Sequence, residues 1–346
     1  MTRAGPTASV LAVDGGNSKT DLALVDADGR LLAAVRGPTT SHQQVGLADG
    51  IAGLVTLTDQ ARIVAGLDGG APGATIGVYG LAGADTAADT RRLHTAIEAE
   101  DLAATSMIVN DAFIPIRAGT DRTWGVALIC GSGVNAAGIA PDGRTARLTA
   151  LGDISGDWGG GGDIGTAGLG AAIRARDGRG PATILEHLVP AHFGLSRPID
   201  VTRRAEAGTL GRDRLRELSP VVFVAAASGD AVARTIIDRQ ADELVSMAVA
   251  IIRRLGLARR DPDVVLAGGV FAARDEAFED RIRTGISKVA ARATVRRFDG
   301  SPVLGAALIG LDRLLGGDVE RHRAAVARLR AELGSWTPAP RMSTRD

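Results

Sequence analysis

Residues 10–20 read VLAVDGGNSKT, a short apolar run that passes directly into a polar loop with two glycines. The apolar run predicts a buried strand over 10–13. The loop offers backbone N–H groups and hydroxyls that suit phosphate oxygens, although an ordinary β-turn capped by Asp14 has the same composition. Neither the Walker spacing nor the dinucleotide fingerprint is present in it. The candidate phosphate ligands are Gly15, Gly16, Asn17, Ser18, Lys19 and Thr20, and Asp14 is a candidate to hold Mg²⁺ through water.

The same pattern returns in residues 124–135, which read WGVALICGSGVN. A strand over 124–129 leads into a second glycine loop, formed by Gly131, Ser132 and Gly133, and another strand follows it. The turn after that strand repeats an earlier Asp-Gly-Arg turn. This weak internal repeat predicts a duplicated α/β domain, in which the cleft between the copies is a natural ligand site.

Hydrophobic patterning predicts the remaining elements. Helices are expected over roughly 46–65, 86–98, 163–175, 231–255, 302–315 and 319–333, and strands over 22–25, 31–35, 75–79, 106–109, 135–140, 263–267 and 293–298. We expect an N-terminal domain at 8–117 and a C-terminal domain at 118–316, whose last helix can return to the first domain. Residues 317–346 are expected to form a peripheral helix and a disordered tail.

Composition limits the classes of function. Of 346 residues, 45% are apolar, which is ample for two cores, and 40 Lys+Arg balance 40 Asp+Glu. Zero net charge and only 3% aromatic residues argue against a nucleic-acid partner. The single cysteine, Cys130, cannot form an internal disulfide or a cysteine-rich metal cluster, and it favours a reducing cytoplasm. The N-terminus lacks a signal pattern and no apolar run approaches the ~20 residues of a membrane span, so no membrane partner is expected.

Carboxylates at the ends of predicted strands supply candidate chemistry. Asp111 follows the strand at 106–109, where side chains of α/β folds commonly face a ligand, so it can act as a general base or serve as a helix N-cap. Residues 156–163 read GDWGGGGD, in which two carboxylates and an indole suit a sugar, unless the segment is only a flexible loop. Gly268 and Gly269 follow a strand. Glycines at this position allow a flat nucleotide base to lie against the backbone, but an ordinary turn has the same composition.

The order of these pieces resembles the N-acetylglucosamine kinase and BadF/BadG/BcrA/BcrD ATPase family of the actin–hexokinase–Hsp70 superfamily, over about residues 10–315. Motifs of that family are similar to residues 14–20, 80–83, 110–111, 131–135, 156–166 and 268–270 of this chain. The resemblance implies an α/β fold of duplicated actin/hexokinase-like (ribonuclease H-like) domains with a central nucleotide cleft. It also implies ATP and Mg²⁺ as cofactors.

The resemblance further implies a role for each matched residue. Asp111 is the implied catalytic base, and Asp14 the implied Mg²⁺ residue. The implied ATP-binding residues are Gly15, Gly16, Asn17, Ser18, Lys19, Thr20, Gly131, Ser132, Gly133, Gly268 and Gly269. The implied sugar-binding residues are Ser41, His42, Ala82, Asn110, Asp111, Val134, Asn135, Asp157, Trp158, Gly159 and Asp163. Three departures from the family pattern fall on the sugar side: Ser41 replaces Asn, Ile164 replaces Glu, and the spacer from Trp158 to Asp163 is one residue shorter.

Three functions remain open at this point. The first is an ATP-dependent kinase, with an alcohol group as acceptor, that phosphorylates N-acetylglucosamine at the 6-hydroxyl or a related hexosamine or hexose. The second is a BadF-type ATPase without sugar kinase activity, for which the cysteines of an iron–sulfur cluster are missing. The third is a non-catalytic sugar sensor, which would not need Asp111. We expect the first, acting in the cytoplasm on a small-molecule sugar, and a homodimer is an open expectation.

Overall fold

The computed structural model describes residues 8–67, 73–334 and 336, and these residues divide into two compact units. One unit holds the described residues up to Thr123 together with those from Gly300 onward, and the other holds Trp124–Asp299. The last long apolar helix therefore lies with the first unit. The tail that the sequence predicts to be disordered lies, apart from Trp336, outside the described residues.

Ten strands form two sheets in the described part of the chain. They are β1 Val10–Gly15, β2 Thr20–Val25, β3 Leu31–Gly37, β4 Ile76–Leu81, β5 Ser106–Asn110, β6 Gly125–Cys130, β7 Val134–Ile139, β8 Thr145–Arg147, β9 Asp263–Ala267 and β10 Thr294–Arg297. The strand orders are β3-β2-β1-β4-β5 and β8-β7-β6-β9-β10. In each sheet the central strand pairs antiparallel with one neighbour and parallel with the other. The two sheets thus share one topology, which confirms the predicted duplication.

Twelve α-helices are found among the described residues. They are α1 His42–Val45, α2 Leu47–Val64, α3 Ala87–Glu98, α4 Ile114–Gly119, α5 Gly160–Arg176, α6 Leu185–His192, α7 Pro198–Glu206, α8 Ser219–Ala227, α9 Ala231–Arg254, α10 Glu276–Ser287, α11 Val303–Leu315 and α12 Val319–Leu333. No single described helix is long and apolar enough to cross a membrane, and only the bent pair Arg212–Ala227 and Ala231–Arg254 passes that test together.

Each unit has its own hydrophobic core. In the first unit the central strands are buried on both faces, as at Leu11 on one face of β1 and Ala12 on the other, which explains why they read as unbroken apolar runs. In the second unit α9 contributes a stripe of fully buried residues at helical spacing, including Ile237 and Leu244. Both cores position the ends of their central strands, where the glycine loops begin.

The helix α5 begins at Gly160, three residues before the start that the sequence predicts. Glycine has the lowest helix propensity of any residue except proline, so a run of four glycines conceals a helix start. Gly160 and Gly161 are buried, and the contacts that they make decide the local structure. The glycine run at 159–162 is therefore the N-terminus of a helix and not a flexible loop.

Helix α12 is anchored to the first unit by apolar and polar contacts. Leu329 and Leu333 are fully buried. The guanidinium of Arg330 donates to the carbonyl oxygens of Ala118 at 2.6 Å and Thr120 at 2.8 Å, which ends α4 with a side-chain cap. The arginine-rich helix expected from the sequence forms, and one of its arginines has this structural role.

Candidate active site

The loop between β1 and β2 is a tight turn with an exposed tip. The amide of Gly16 donates to the carbonyl of Lys19 at 3.0 Å, and Asn17 and Ser18 at the tip are exposed. The hydroxyl of Thr39 donates to the carbonyl of Gly16 at 2.8 Å and fixes the base of the turn. The exposed tip is therefore accessible to a phosphate, although the Gly16 amide is already paired within the turn.

Asp14 lies on β1 immediately before this loop. Its pKa is raised to about 7, chiefly by burial. The positive charges of Lys19 and Arg36 lower the pKa, and the negative charges of Asp21 and Asp111 raise it. Asp111 thus lies close enough for its charge to raise the pKa of Asp14.

Asp21 stands opposite Asp14 in the β1–β2 register and is fully buried. Arg36 donates to both of its carboxylate oxygens, at 2.5 and 2.7 Å, and the Lys19 ammonium lies 2.5 Å away. The Ser301 hydroxyl also donates to it, at 2.7 Å. Burial alone would raise the pKa of Asp21, but these hydrogen bonds and charges hold the pKa below its usual value. Lys19, a predicted ATP ligand, is thus paired with a protein carboxylate here, and its contact with ATP stays a prediction.

Parallel pairing brings the carboxyl ends of three strands together. Gly15 on β1 pairs with Leu81 on β4, and Leu81 pairs with Asn110 on β5. Asp14 and Asp111, which flank these paired positions in the chain, therefore lie at one edge of the sheet. This is the edge at which open α/β sheets bind ligands.

Asn110 fixes the backbone that carries Asp111. Its side-chain oxygen accepts from the amide of Ala112 at 3.1 Å, so Asn110, and not Asp111, is the N-cap of the following 3₁₀ turn. Its side-chain nitrogen donates to Asp85 at 2.9 Å, and the other oxygen of Asp85 accepts from Gln43 at 3.1 Å. Asp85 is a residue that the sequence reasoning missed. Both ends of the Asn110 amide are thus engaged within the protein, and its predicted contact with a sugar stays a prediction.

Ser41 and His42 place two unpaired polar atoms beside this edge. Ser41 is 2% exposed, and its hydroxyl has no hydrogen-bond partner among the described residues; the same holds for Nδ1 of His42. Gly83, with φ of 82°, lies so close that a Cβ there would be 2.5 Å from the His42 ring. The adjacent Ala82 donates its amide to the Gly15 carbonyl at 2.8 Å, which joins this segment to the first glycine loop. Unpaired buried polar atoms of this kind are suited to a polar ligand.

The second glycine loop is tied to the first turn of α5. The amide of Gly161 donates to the carbonyl of Gly131 at 2.8 Å, and the amide of Gly162 donates to that of Ser132 at 3.0 Å. The loop carbonyls therefore satisfy the first amides of α5 and hold the loop against the start of the helix.

Gly160 allows the helix to approach this loop. Its φ is 82°, and a Cβ on it would lie 2.4 Å from the Cα of Gly133. Val134 and Asn135, both predicted sugar ligands, follow as the partly buried start of β7. The side chain of Asn135 accepts from the amide of Ala136 at 2.8 Å.

The segment before α5 is held by local contacts. The Arg239 guanidinium lies 3.9 Å from the ring centroid of Trp158, and the carboxylate of Asp163 accepts from the amide of Gly159 at 2.7 Å. Asp157 accepts a hydrogen bond from a serine hydroxyl two residues earlier. These predicted sugar ligands therefore lie beside the second loop, and their contact with a sugar stays a prediction.

A cavity of about 330 Å³ opens beside the second loop. Its walls include Gly131, Ser132 and Gly269, three of the predicted ATP ligands, together with Phe223 and Arg216. A Cβ on Gly131 or Gly269 would meet nothing within 4 Å, so both glycines leave open space. Phe223 and Arg216 lie in a stretch where the sequence reasoning predicted no element and found no signal.

Position 268 requires a glycine because the backbone there lies close to β6. Gly268 has φ of 111°, and a Cβ would lie 2.4 Å from the carbonyl oxygen of Cys130.

Burial raises the pKa of the Cys130 thiol to about 12, so this cysteine packs as a neutral side chain. Within the described residues, no group of three or more His, Cys, Asp or Glu side chains could hold a metal ion.

Comparison with known proteins identifies the family. The sequence profile of the BadF/BadG/BcrA/BcrD ATPase family matches residues 11–310. The chain belongs to this family. The match covers both glycine loops and the strand end at Asp111, and it confirms the family expected from the sequence motifs.

Relatives of this BadF/BadG/BcrA/BcrD family member include named sugar kinases. An N-acetyl-D-glucosamine kinase of Dictyostelium discoideum is 26% identical over 321 residues, which cover 87% of this chain and 97% of that protein. An N-acetylmuramic acid/N-acetylglucosamine kinase of Clostridium acetobutylicum is 29% identical over 272 residues, covering 75% and 85%. A crystal structure from Chromobacterium violaceum, described as that of a candidate N-acetylglucosamine kinase, has a TM-score of 0.68 at 24% identity and covers 88% of this chain and 99% of that one. This likeness confirms the predicted fold class.

Proposed function

We propose that this protein is an ATP-dependent kinase of N-acetylglucosamine or a closely related amino sugar. The observation that carries the proposal is the shared sheet edge of the first unit, where Asp14 and Asp111 interact electrostatically. In the same unit the buried Ser41 hydroxyl and His42 Nδ1 have no partner among the described residues. A carboxylate base, a phosphate-type loop and unpaired polar atoms are what phosphoryl transfer to a sugar hydroxyl needs.

The residues around the second loop fit a nucleotide. The cavity of about 330 Å³ is within the range of small-molecule sites. Gly131 and Gly269 leave space against bare backbone, and Phe223 offers an aromatic wall to a base. The exposed guanidinium of Arg216 is suited to phosphate charge, since its ion pair with Asp213 is long at 3.6 Å.

Mg²⁺ fits the carboxylate of Asp14 as part of this proposal. A pKa raised to about 7 means that an added positive charge would stabilise the ionised form of Asp14. A bound Mg²⁺ would offset the phosphate charge during transfer. With no cluster of three or more acidic, histidine or cysteine ligands in the described chain, Asp14 would hold the ion through water.

Asp111 would be the general base in the reaction. A sugar hydroxyl needs a group that orients it in line with the transferred phosphoryl group and accepts its proton as the bond forms. Asn110, anchored by Ala112 and Asp85, would hold the Asp111 backbone in place. Asp85 also contacts Gln43 beside His42, so one carboxylate links the proposed sugar loop to the base.

The sugar that accepts the phosphoryl group is proposed from the named relatives and from the residues that differ from the family pattern. Both named kinases act, by their names, on N-acetylglucosamine, and one also on N-acetylmuramic acid. The predicted acceptor atom is the 6-hydroxyl. Ser41, which differs from the family pattern, has a buried unpaired hydroxyl that suits this site. Ile164, the second difference, is fully buried in the core of its unit, so it would influence the sugar only indirectly.

Compartment and assembly complete the proposal. ATP as substrate and a buried, reduced Cys130 suit the cytoplasm. A homodimer is proposed only from the resemblance, and light scattering on a size-exclusion column would test it.

A panel of sugars tests the function. Wild-type protein with ATP and Mg²⁺ is expected to form ADP faster when N-acetylglucosamine is added. We expect weaker stimulation of ADP formation by glucose, glucosamine, N-acetylmannosamine or N-acetylmuramic acid. Stimulation by none of the sugars would favour the BadF-type ATPase. Sugar binding without any ADP formation would favour a sensor.

A further inference from the structure

A buried glutamine on α9 touches the glycine run at the start of α5. Gln240 is fully buried, on the face of α9 that otherwise carries apolar residues such as Ile237 and Leu244. Removing an amide from water is unfavourable unless its hydrogen bonds are replaced. The position therefore calls for an explanation other than core packing.

The side-chain oxygen of Gln240 holds the first residue of α5. It accepts from the amide of Gly160 at 2.7 Å. Gly160 in turn lies against Gly133 of the second loop, with only 2.4 Å between its would-be Cβ and the Gly133 Cα. A shift of Gly160 would therefore be transmitted directly to this loop.

The same amide also fills the space beside Gly159. A Cβ on Gly159 would lie 2.5 Å from the oxygen and 2.6 Å from the nitrogen of Gln240. Gly159 has φ of 138°, and its amide donates to Asp163. One side chain thus supports the turn that joins the proposed sugar segment to the helix.

The nitrogen of Gln240 has no hydrogen-bond partner among the described residues. The assignment of oxygen and nitrogen follows from the Gly160 contact, since only the oxygen can accept from an amide. A buried donor without a partner is destabilising, and an apolar side chain of similar size would remove this cost but leave the Gly160 amide without its acceptor. These two effects on stability oppose each other. The amide is therefore poorly explained by stability alone.

We propose that Gln240 is a positioning residue for phosphoryl transfer, acting through Gly159 and Gly160 on the second glycine loop. It touches neither substrate in this account. The inference rests on the proposed kinase function, and it predicts that changes at Gln240 alter nucleotide binding and turnover more than they alter folding.

Two substitutions separate the oxygen of Gln240 from its bulk. Gln240→Met keeps the length but removes the acceptor for Gly160, and we expect kcat/KM for ATP to fall at least tenfold. We expect its unfolding midpoint to stay near that of the wild type, because removing the unpaired nitrogen offsets the loss of the acceptor for the Gly160 amide. Gln240→Glu retains an oxygen for Gly160, and we expect it to keep more of kcat/KM than Gln240→Met does. Leu244→Ala, one turn along the same buried face, is the control: it should lower the unfolding midpoint by several degrees with kinetics within twofold.

The dissociation constant for Mg²⁺-ATP, measured without sugar, is a readout independent of turnover. It should rise for Gln240→Met and remain unchanged for Leu244→Ala. Wild-type values of both kcat/KM and ATP affinity in Gln240→Met would overturn the inference, as would equal kinetic losses in Gln240→Met and Leu244→Ala. Should Gln240→Met not fold, Gln240→Asn decides, because its shorter side chain moves the oxygen away from the Gly160 amide. Wild-type ATP affinity and turnover per folded molecule in Gln240→Asn, or a loss no larger than in Leu244→Ala, would reject the inference. If the wild type phosphorylates no sugar, the kinase proposal fails, whereas the effect on ATP affinity still tests Gln240.

Discussion

At the scale of single residues, the carboxylates of the first unit differ in their environments. Asp21 is fully buried but surrounded by Arg36, Lys19 and Ser301, so it remains ionised. Asp14 is opposite it without a comparable set of donors, and its pKa rises to about 7. Two aspartates that face each other across one pair of strands thus have opposite pKa shifts. Asp21 is suited to structural ion pairs, and Asp14 is suited to binding a cation.

Asp14→Asn is expected to stabilise the metal-free protein at pH 8 but not at pH 4. The pKa of Asp14 is about 7 in the folded state, above its unfolded value, so the folded state holds this proton more tightly. The protonated Asp14 therefore contributes fully to the free energy of unfolding below the unfolded pKa, and this contribution is lost as pH rises through about 7. Three pKa units set an upper limit of roughly 4 kcal/mol on the gain at pH 8. Urea unfolding in a chelator would measure it.

The control for this substitution is Asp59→Asn, an exposed position on α2. It should change the free energy of unfolding by less than about 0.5 kcal/mol at either pH. An equal effect of Asp14→Asn at pH 4 and pH 8 would contradict the raised pKa.

Asp111→Asn should reduce turnover without unfolding the protein. A general base is worth about 10²- to 10⁴-fold in rate, and asparagine keeps the shape of the side chain but cannot take the proton. Steady-state kinetics with N-acetylglucosamine, together with ATP affinity by calorimetry, would check this. If the variant kept more than about a tenth of wild-type kcat, Asp111 would be a ligand or a structural residue, and Asp157 or Asp163 would be the next candidate base.

At the scale of elements, the start of α5 connects the glycine run to the second loop. Gly160→Ala should weaken ATP binding and lower stability, because its φ is 82° and the new methyl group would collide with Gly133. Gly170→Ala, in the interior of the same helix with open space around it, is the matched control. It should stabilise the protein by about 0.5–1 kcal/mol and leave ATP affinity unchanged. Equal ATP affinity in both variants would contradict the proposed role of the helix start.

The sequence could predict elements that have a strong local signal. The run from Val10 to Val13 is buried on both faces of a sheet, so its composition alone marks it as a strand. Gly160 is different, because glycine disfavours helices and only its contacts with Gly131–Gly133 and Gln240 make a helix start there. The same reason explains the missed residues: Asp85, Gln240 and Arg216 acquire their roles from partners distant in sequence.

At the scale of the whole molecule, the chain's C-terminal part is bound back onto its first unit. Arg330 of α12 donates to three carbonyl oxygens at the end of α4, about 210 residues earlier in the chain, and Arg117 pairs with Asp312 on α11. Gly29, with φ of 77°, lies against the α12 backbone at Ala325. The described residues after Gly300 therefore belong to the structure of the first unit.

Arg330→Met should destabilise the protein by about 1–3 kcal/mol, since the carbonyls at the end of α4 would lose charged donors. Kinetic constants at a temperature where the variant is folded should stay within twofold of wild type, because Arg330 lies outside the proposed site. Arg328→Met is the control, because its ion pair with Glu332 is exposed and worth less than about 0.5 kcal/mol. Chemical denaturation of both would show whether Arg330 has the predicted role, and similar midpoints would argue against it.

The most direct test of the central claim identifies the phosphorylated product. Wild-type protein is incubated with ATP, Mg²⁺ and N-acetylglucosamine, and phosphorus NMR follows the ATP, ADP, inorganic phosphate and phosphate-ester signals. The account predicts one sugar 6-phosphate formed for each ADP, with little inorganic phosphate, and at least a hundredfold slower formation in Asp111→Asn. Stoichiometric inorganic phosphate without a sugar phosphate ester would contradict it and identify the protein as an ATPase.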